Sequence, residues 1–305
     1  MPCRSPNWSA GSWLPVGGPD SVTPVTNGRR LAILGAGVMG ETLLSGLLRS
    51  GWPADQIVAT DRRPDRQLEL VAKYGVTMLE NDQAVAEADT VILVVKPQDM
   101  RELLSEIAGS IKPDALVVSL AAGVDIASIE TQLPAGMAVV RVMPNTPAQV
   151  DEGMAAISGG THSDHDHLER VTEILSATGR VVTVPERYQD AVTAISGSGP
   201  AYLFFVVEAM IEAGVHLGLP RDIATELVVQ TMLGSAKLLR ETGEHPTVLR
   251  ERVTSPGGTT AAAIRQLEDH KVRAAFIGAI EAARNRSREL AEAARDEPPA
   301  PGVRR

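Results

Sequence analysis

Residues 31–40 read Leu-Ala-Ile-Leu-Gly-Ala-Gly-Val-Met-Gly. Four consecutive apolar residues fit a short strand buried on both faces. The three glycines that follow answer to separate physical needs. Gly35 permits a tight turn, Gly37 lets the backbone come close to a pyrophosphate, and Gly40 lets helix and strand pack closely. A helix opening at this point presents unpaired N–H groups to phosphate. Asp61 stands 21 residues beyond Gly40 (61 − 40), at the end of a second apolar run, Ile57–Thr60. That spacing suits an acidic residue meeting an adenine ribose. Strand, glycine turn, helix, strand and acid together predict a Rossmann dinucleotide-binding unit.

Working outward, apolar runs at Leu31–Leu34, Ile57–Thr60, Thr90–Val95, Leu116–Leu120 and Ala138–Val142 alternate with helical stretches. Those stretches are Gly40–Ser50, Pro64–Tyr74, Gln98–Ile111 and Ile126–Gln132. Such alternation predicts βαβ units and a parallel sheet, hence an α/β fold. Two further strands, Met154–Ser158 and Arg180–Val184, flank a helix from about Asp166 to Ala177. Past Glu186 the strand signals stop. Helical patterns cover Asp190–Ala194, Ala201–Leu217, Arg221–Glu241, Pro246–Val253 and Thr260–Ala294. The expected plan is a coenzyme-binding domain at 30–186 and an all-helical domain at 187–294. Residues 1–29, with five prolines and four glycines, show no period, and residues 295–305 are Pro-rich. Both read as disordered tails; an over-early start of the reading frame is the other reading of the first.

Composition narrows the function. Of 305 residues, 29 are Lys or Arg and 38 Asp or Glu, a formal charge of −9, which argues against a general affinity for nucleic acid or anionic membrane. Cys3 is the single cysteine, so neither an intramolecular disulfide nor a cysteine metal cluster can form. No apolar run approaches the roughly 18 residues of a membrane span, and no charged-then-apolar leader is visible. A cytoplasmic protein is expected. His162, His165 and His167, with Asp164 and Asp166, read as a solvated helix entry rather than a metal site.

The remaining motifs fall at strand and helix ends. Asp61-Arg62-Arg63 mixes an acid that favours a free ribose 2′-hydroxyl with arginines that can hold a 2′-phosphate, so coenzyme choice stays open. Val95-Lys96-Pro97, Ser119-Leu120-Ala121-Ala122-Gly123 and Met143-Pro144-Asn145-Thr146-Pro147 end apolar runs, where open parallel sheets bind ligands. Ser196-Gly197-Ser198-Gly199-Pro200-Ala201-Tyr202 and Ser255-Pro256-Gly257-Gly258-Thr259-Thr260 each open a helix. Clustered N–H groups and hydroxyls at a helix start suit a carboxylate. Two glycines after a proline are costly inside a helix, which favours function over simple capping in the second motif.

These motifs, in this order and spacing over roughly residues 30–290, resemble the pyrroline-5-carboxylate reductase family. The resemblance implies a Rossmann domain followed by a helical domain that interlocks in a homodimer, often in a ring of dimers. It implies NADPH as coenzyme, with NADH possible, and reduction of 1-pyrroline-5-carboxylate to L-proline. By motif, Gly35, Gly37, Val38, Met39 and Gly40 would take the pyrophosphate and Asn81 the adenosine side, with Asp61, Arg62 and Arg63 near the ribose. Lys96, Pro97 and Ala122 would lie near the nicotinamide riboside. Ser255, Gly257, Gly258, Thr259 and Thr260 would hold substrate, Thr260 facing the imine nitrogen as the catalytic hydroxyl. Arg252 departs from the family pattern, since some members carry an amide there.

Two rivals remain. β-Hydroxyacid dehydrogenases share the plan but resemble one another in a lysine on the first long helix after the linker. Ala201–Leu217 has none; the five lysines are Lys73, Lys96, Lys112, Lys237 and Lys271. A non-catalytic coenzyme sensor would keep the glycine motif but would not need Ser255–Thr260.

Overall fold

The computed structural model describes residues 28–296. Apart from Gly28, Arg29, Arg295 and Asp296, the two expected tails lie outside the described residues, as does Cys3. The chain divides into two compact units. Of the described residues, one unit holds those through Val192 and those from Arg288 onward; the other is Thr193–Ser287.

In the first unit the elements run β1 (Leu31–Leu34), α1 (Val38–Arg49), β2 (Ile57–Thr60), α2 (Pro64–Tyr74), β3 (Thr77–Met78), α3 (Asn81–Glu87), β4 (Thr90–Leu93), α4 (Met100–Ile107), β5 (Leu116–Ser119), α5 (Ile126–Glu130), β6 (Ala138–Met143), β7 (Gly153–Gly159), α6 (His165–Ser176), β8 (Gly179–Thr183) and α7 (Gln189–Val192). The strands form one sheet in the order β3-β2-β1-β4-β5-β6-β7-β8. Side chains alternate across it. Leu31 and Ile33 pack with Leu43, Leu44 and Leu47 of α1 and Ile174 and Leu175 of α6. Ala32 and Leu34 pack on the other face with Val85 of α3, Leu104 and Ile107 of α4, and Ile129 of α5. Helices therefore cover both faces, which is why β1, β2, β4 and β5 are buried at every residue and apolar except at Thr60, Thr90 and Ser119.

The alternation predicts a parallel sheet, but one pair of neighbouring strands departs from it. β6 and β7 pair antiparallel, Met143 opposite Ala156. The link between them is a short turn ending at Asp151, in the left-handed region at φ 60°. A parallel return needs a crossover of about a dozen residues or more, and this link has no room for one. β3 and α3, which periodicity missed, are two and seven residues long.

The second unit continues with a π-helical turn at Thr193–Gly197, then α8 (Gly199–His216), α9 (Arg221–Thr242), α10 (Pro246–Arg252), α11 (Thr259–Asp269) and α12 (Val272–Asp296), which runs on into the first unit. The single helix expected over Thr260–Ala294 is thus two. The break is at Lys271, which adopts φ 57° and cannot continue a right-handed helix.

This unit buries little of its own apolar surface. Phe204 is 67% exposed, Phe205 71%, Leu233 60% and Ile277 64%. Among the described residues one helical run, Glu186–His216, is long and apolar enough to cross a membrane by length and composition. That corrects the sequence expectation that no segment approaches such a length. The sequence reading treats Ser196–Pro200 as a break, but the backbone there stays helical through its π turn.

Candidate active site

The glycine loop joins β1 to α1. Gly35 sits at φ +100°, and a Cβ there would lie 2.8 Å from the Val94 carbonyl oxygen on β4's exit. Only glycine can make this turn at this distance. The N–H groups of Gly35 and Ala36 both donate to the Thr60 carbonyl at the end of β2 (3.2 and 2.9 Å). Gly37 is the residue preceding α1, and no side chain caps the helix. The first intrahelical bond runs from the Glu41 N–H to the Gly37 carbonyl (2.8 Å). The amides of Val38, Met39 and Gly40 therefore have no partner within the helix. A Cβ at Gly37 would meet nothing within 4 Å. An open cradle, uncapped amides and the positive end of a helix dipole fit a dinucleotide pyrophosphate.

Thr60 organises the adjoining edge. Its hydroxyl donates to the Asn81 side-chain oxygen at the start of α3 (2.6 Å), and the Asn81 amide donates to Glu106 (3.0 Å). Asp61 follows directly, its side chain only 9% exposed. It accepts from the Arg63 backbone N–H (3.0 Å) and from Arg63 Nε (3.2 Å). Arg62 pairs instead with Asp99 (3.1 Å). Each arginine is held more firmly in its charged form, Arg62 by Asp99 and Arg63 by Asp61. Gly35–Gly40, Asp61–Arg63 and Asn81 are thus brought together around the ends of β1 and β2. β4 and β5 continue the same rim, with Lys96, Pro97 and Ala122 exposed just past them. The sheet order reverses between β1 and β4, the crevice where doubly wound sheets take ligands.

In the helical unit, Ser255–Thr260 forms a turn and then α11. Gly257 adopts φ +69°, and a Cβ on Gly258 would lie 2.5 Å from the Ser255 hydroxyl oxygen. The Gly258 N–H donates to the Ser255 carbonyl (3.0 Å). Gly258 precedes α11 without a side-chain cap, and the first intrahelical bond is Ala262 N–H to Gly258 carbonyl (3.2 Å). The amides of Thr259, Thr260 and Ala261 are therefore left without helical partners, with the half-buried Thr260 hydroxyl beside them. Arg252 pairs with Glu244 (2.7 Å).

Several polar residues escaped sequence reading. Glu41, one residue past the glycine motif, accepts from Lys73 Nζ and the Tyr74 hydroxyl (2.8 Å each) and from Arg66. Lys73 and Arg66, with Tyr74 adding less against an opposing burial penalty, hold the Glu41 carboxyl at about 2. No motif signals this cluster, because its members come from two helices. Buried Arg141 on β6 pairs with Glu186 (3.1 Å), which also accepts from the Ile126 N–H at the start of α5 (2.8 Å). The histidine stretch has a local role: Asp164 accepts from the His167 N–H (3.0 Å) and caps α6.

Comparison with known proteins follows the same division. Residues 186–290 match the family model described as pyrroline-5-carboxylate reductase dimerisation. Residues 30–123 match the one described as NADP oxidoreductase, coenzyme F420-dependent. A pyrroline-5-carboxylate reductase of Corynebacterium melassecola is 48% identical over 264 residues, covering 85% of this chain and 98% of its own. The structure of a pyrroline-5-carboxylate reductase from Coxiella burnetii superposes with TM-score 0.82 at 38% identity, covering 87% of this chain and 99% of that one. The Plasmodium falciparum pyrroline carboxylate reductase with NADP bound gives TM-score 0.78 at 27% identity, covering 86% and 98%. With identity of this order spread along nearly the whole of a relative, and with both glycine-entered helix starts in place, the chain belongs to the pyrroline-5-carboxylate reductase family.

Proposed function

We propose that the chain reduces 1-pyrroline-5-carboxylate to L-proline with NAD(P)H, each unit supplying one binding element. The observation that carries this reading is the presence, in one family member, of two uncapped helix starts entered through glycine, at α1 and at α11. The first suits a pyrophosphate and the second a carboxylate.

In this reading Gly35, Gly37, Val38, Met39 and Gly40 hold the coenzyme pyrophosphate. Asn81, Asp61, Arg62 and Arg63 serve its adenosine end, and Lys96, Pro97 and Ala122 wall its nicotinamide end. The reduced nicotinamide, when bound, supplies a hydride to the C=N carbon. Backbone amides at Thr259 and Thr260 fix the substrate carboxylate, with Ser255, Gly257 and Gly258 shaping the turn. The Thr260 hydroxyl orients the imine nitrogen. The protonated imine is already an electrophile, so positioning does most of what catalysis requires and no strong base is needed. Residues 30–186 form the coenzyme domain and 187–294 the substrate domain.

The exposed apolar side chains of α8, α9 and α12 exceed what a solitary surface leaves uncovered. A second copy of the chain covers them in a homodimer, and dimers join in a ring; neither a membrane nor nucleic acid is a partner. The charge of −9 suits a cytoplasmic enzyme. The test is coenzyme oxidation on adding 1-pyrroline-5-carboxylate, with NADPH and NADH compared, and sedimentation for the assembly. No turnover despite coenzyme binding would favour the sensor reading instead.

A further inference from the structure

Arg66 lies on α2, outside the glycine motif, yet its Nε donates to the carbonyl oxygen of Ala36 inside that motif (3.2 Å). Its other nitrogens are engaged at the same time. One pairs with Glu69 (2.7 Å) and another with Glu41 on α1. Glu41 is in turn held by Lys73 and Tyr74, both from α2 (2.8 Å each). The Arg66 side chain is 12% exposed, so its geometry is fixed by protein on most sides.

The consequence falls on the next amide. The peptide between Ala36 and Gly37 is trans, so its C=O and N–H point in opposite directions. Fixing the Ala36 carbonyl toward α2 turns the Gly37 N–H the other way. On the preceding side, Thr60 already holds the Gly35 and Ala36 amides. Thr60 thus fixes two N–H groups and Arg66 fixes the following carbonyl. The Gly37 N–H is then the first amide of the motif free to turn outward, at a glycine whose Cβ position is open to 4 Å.

We infer that Arg66 is a positioning residue for coenzyme binding: through the Ala36 carbonyl it sets the peptide plane that presents the Gly37 N–H to the pyrophosphate, and Glu41 holds it in place. It touches neither phosphate nor ribose in this role. A guanidinium can donate to a carboxylate and a carbonyl from separate nitrogens at fixed angles, whereas a lysine ammonium has one nitrogen for both. Charge alone is therefore not enough at this position.

This inference rests on the coenzyme-binding reading, and the experiment separates the two. The full-length protein and its Arg66→Lys and Arg66→Met variants are titrated with NADP⁺ by calorimetry. KM for NADPH, KM for 1-pyrroline-5-carboxylate and the melting midpoint are measured alongside. Both variants should bind NADP⁺ about tenfold more weakly, the worth of one well-made hydrogen bond. KM for NADPH should rise in step, while KM for 1-pyrroline-5-carboxylate stays unchanged. Arg66→Lys keeps the pair with Glu41 and should stay folded with a near-native melting midpoint. Wild-type NADP⁺ affinity in Arg66→Lys would overturn the proposal, since charge would then suffice. So would equal losses in both KM values together with the melting midpoint, which mark a purely structural role. If the unaltered protein does not bind NADP⁺, the coenzyme reading itself fails.

Discussion

Gly40 packs against the carbonyl of Gly35 so closely that no side chain can stand between them. A Cβ on Gly40 would fall well inside contact distance of that oxygen, which is backbone and cannot swing away. The first turn of α1 is thereby pressed onto the strand exit, and the helix start is aimed across the end of the sheet.

Gly40→Ala should therefore disturb the loop rather than be absorbed by it. Overpacking of this kind costs about 1–3 kcal/mol, and the displacement falls on the amides that face the pyrophosphate. The expected outcome is a lowered melting midpoint with weakened NADP⁺ binding. Gly109, where a Cβ meets nothing within 4 Å, provides the comparison: Gly109→Ala should leave NADP⁺ affinity unchanged. Equal affinities in the two variants would contradict the packing argument.

Glu41 makes stability depend on acid. Its carboxyl titrates near 2 in the folded protein against an ordinary value of 4.5, because Lys73 and Arg66 hold it charged. A folded-state value below the unfolded one means the unfolded chain binds the proton first. The stabilisation is complete above about pH 4.5 and is lost as pH falls toward 2. Its upper bound is about 3 kcal/mol, reduced by the partial exposure of the cluster. Glu41→Gln should flatten the melting midpoint's dependence on pH between 4.5 and 2 and lower it at pH 7. An unchanged acid limb in the variant would remove Glu41 from the account.

What was legible in the sequence follows from how each feature is encoded. Leu31–Leu34 and the glycines after it are contiguous, and their spacing alone predicts strand, turn and helix. Ser255–Thr260 is equally local. β3, with Thr77 and Met78 at the sheet edge, is too short to show a period. The break at Lys271 hides because lysine is a good helix former, and only its left-handed backbone reveals the corner. Arg66 and Glu41 are 25 residues apart, and a lone arginine within a charged amphipathic helix looks like solvated surface. The link from Arg66 to Ala36 exists only once α2 lies against α1. The exposure of the α8 phenylalanines is not written in the sequence, since a chain's apolar residues do not say whether its own fold or a second copy covers them.

Thr260 carries the proposed catalytic hydroxyl, at the second residue of α11. Thr260→Val preserves shape and removes the hydroxyl. The loss should appear in kcat/KM for 1-pyrroline-5-carboxylate, by about 5- to 150-fold for roughly 1–3 kcal/mol. NADP⁺ affinity should not change. Wild-type turnover in a folded variant would show that the amides of α11 orient the imine without help.

Coenzyme choice turns on Asp61 and its two neighbours. Asp61 is almost enclosed and accepts from both the backbone and the side chain of Arg63. That arginine partly neutralises the charge that would repel a 2′-phosphate. Arg62 pairs with Asp99 but is 68% exposed, and an exposed ion pair is worth little against a phosphate. A guanidinium can leave such a pair for a bidentate phosphate contact at small cost. The expected preference is therefore NADPH, with NADH also accepted. Replacing Arg62 and Arg63 together by Ala should raise KM for NADPH much more than KM for NADH. It removes two positive charges and frees the Asp61 carboxylate to repel the phosphate. Asp61→Asn should act oppositely, relaxing discrimination in favour of NADPH. If the double variant moves both KM values together, or neither, the arginines do not read the phosphate. Asp61 is then the determinant, and NADH becomes the coenzyme the adenosine end favours.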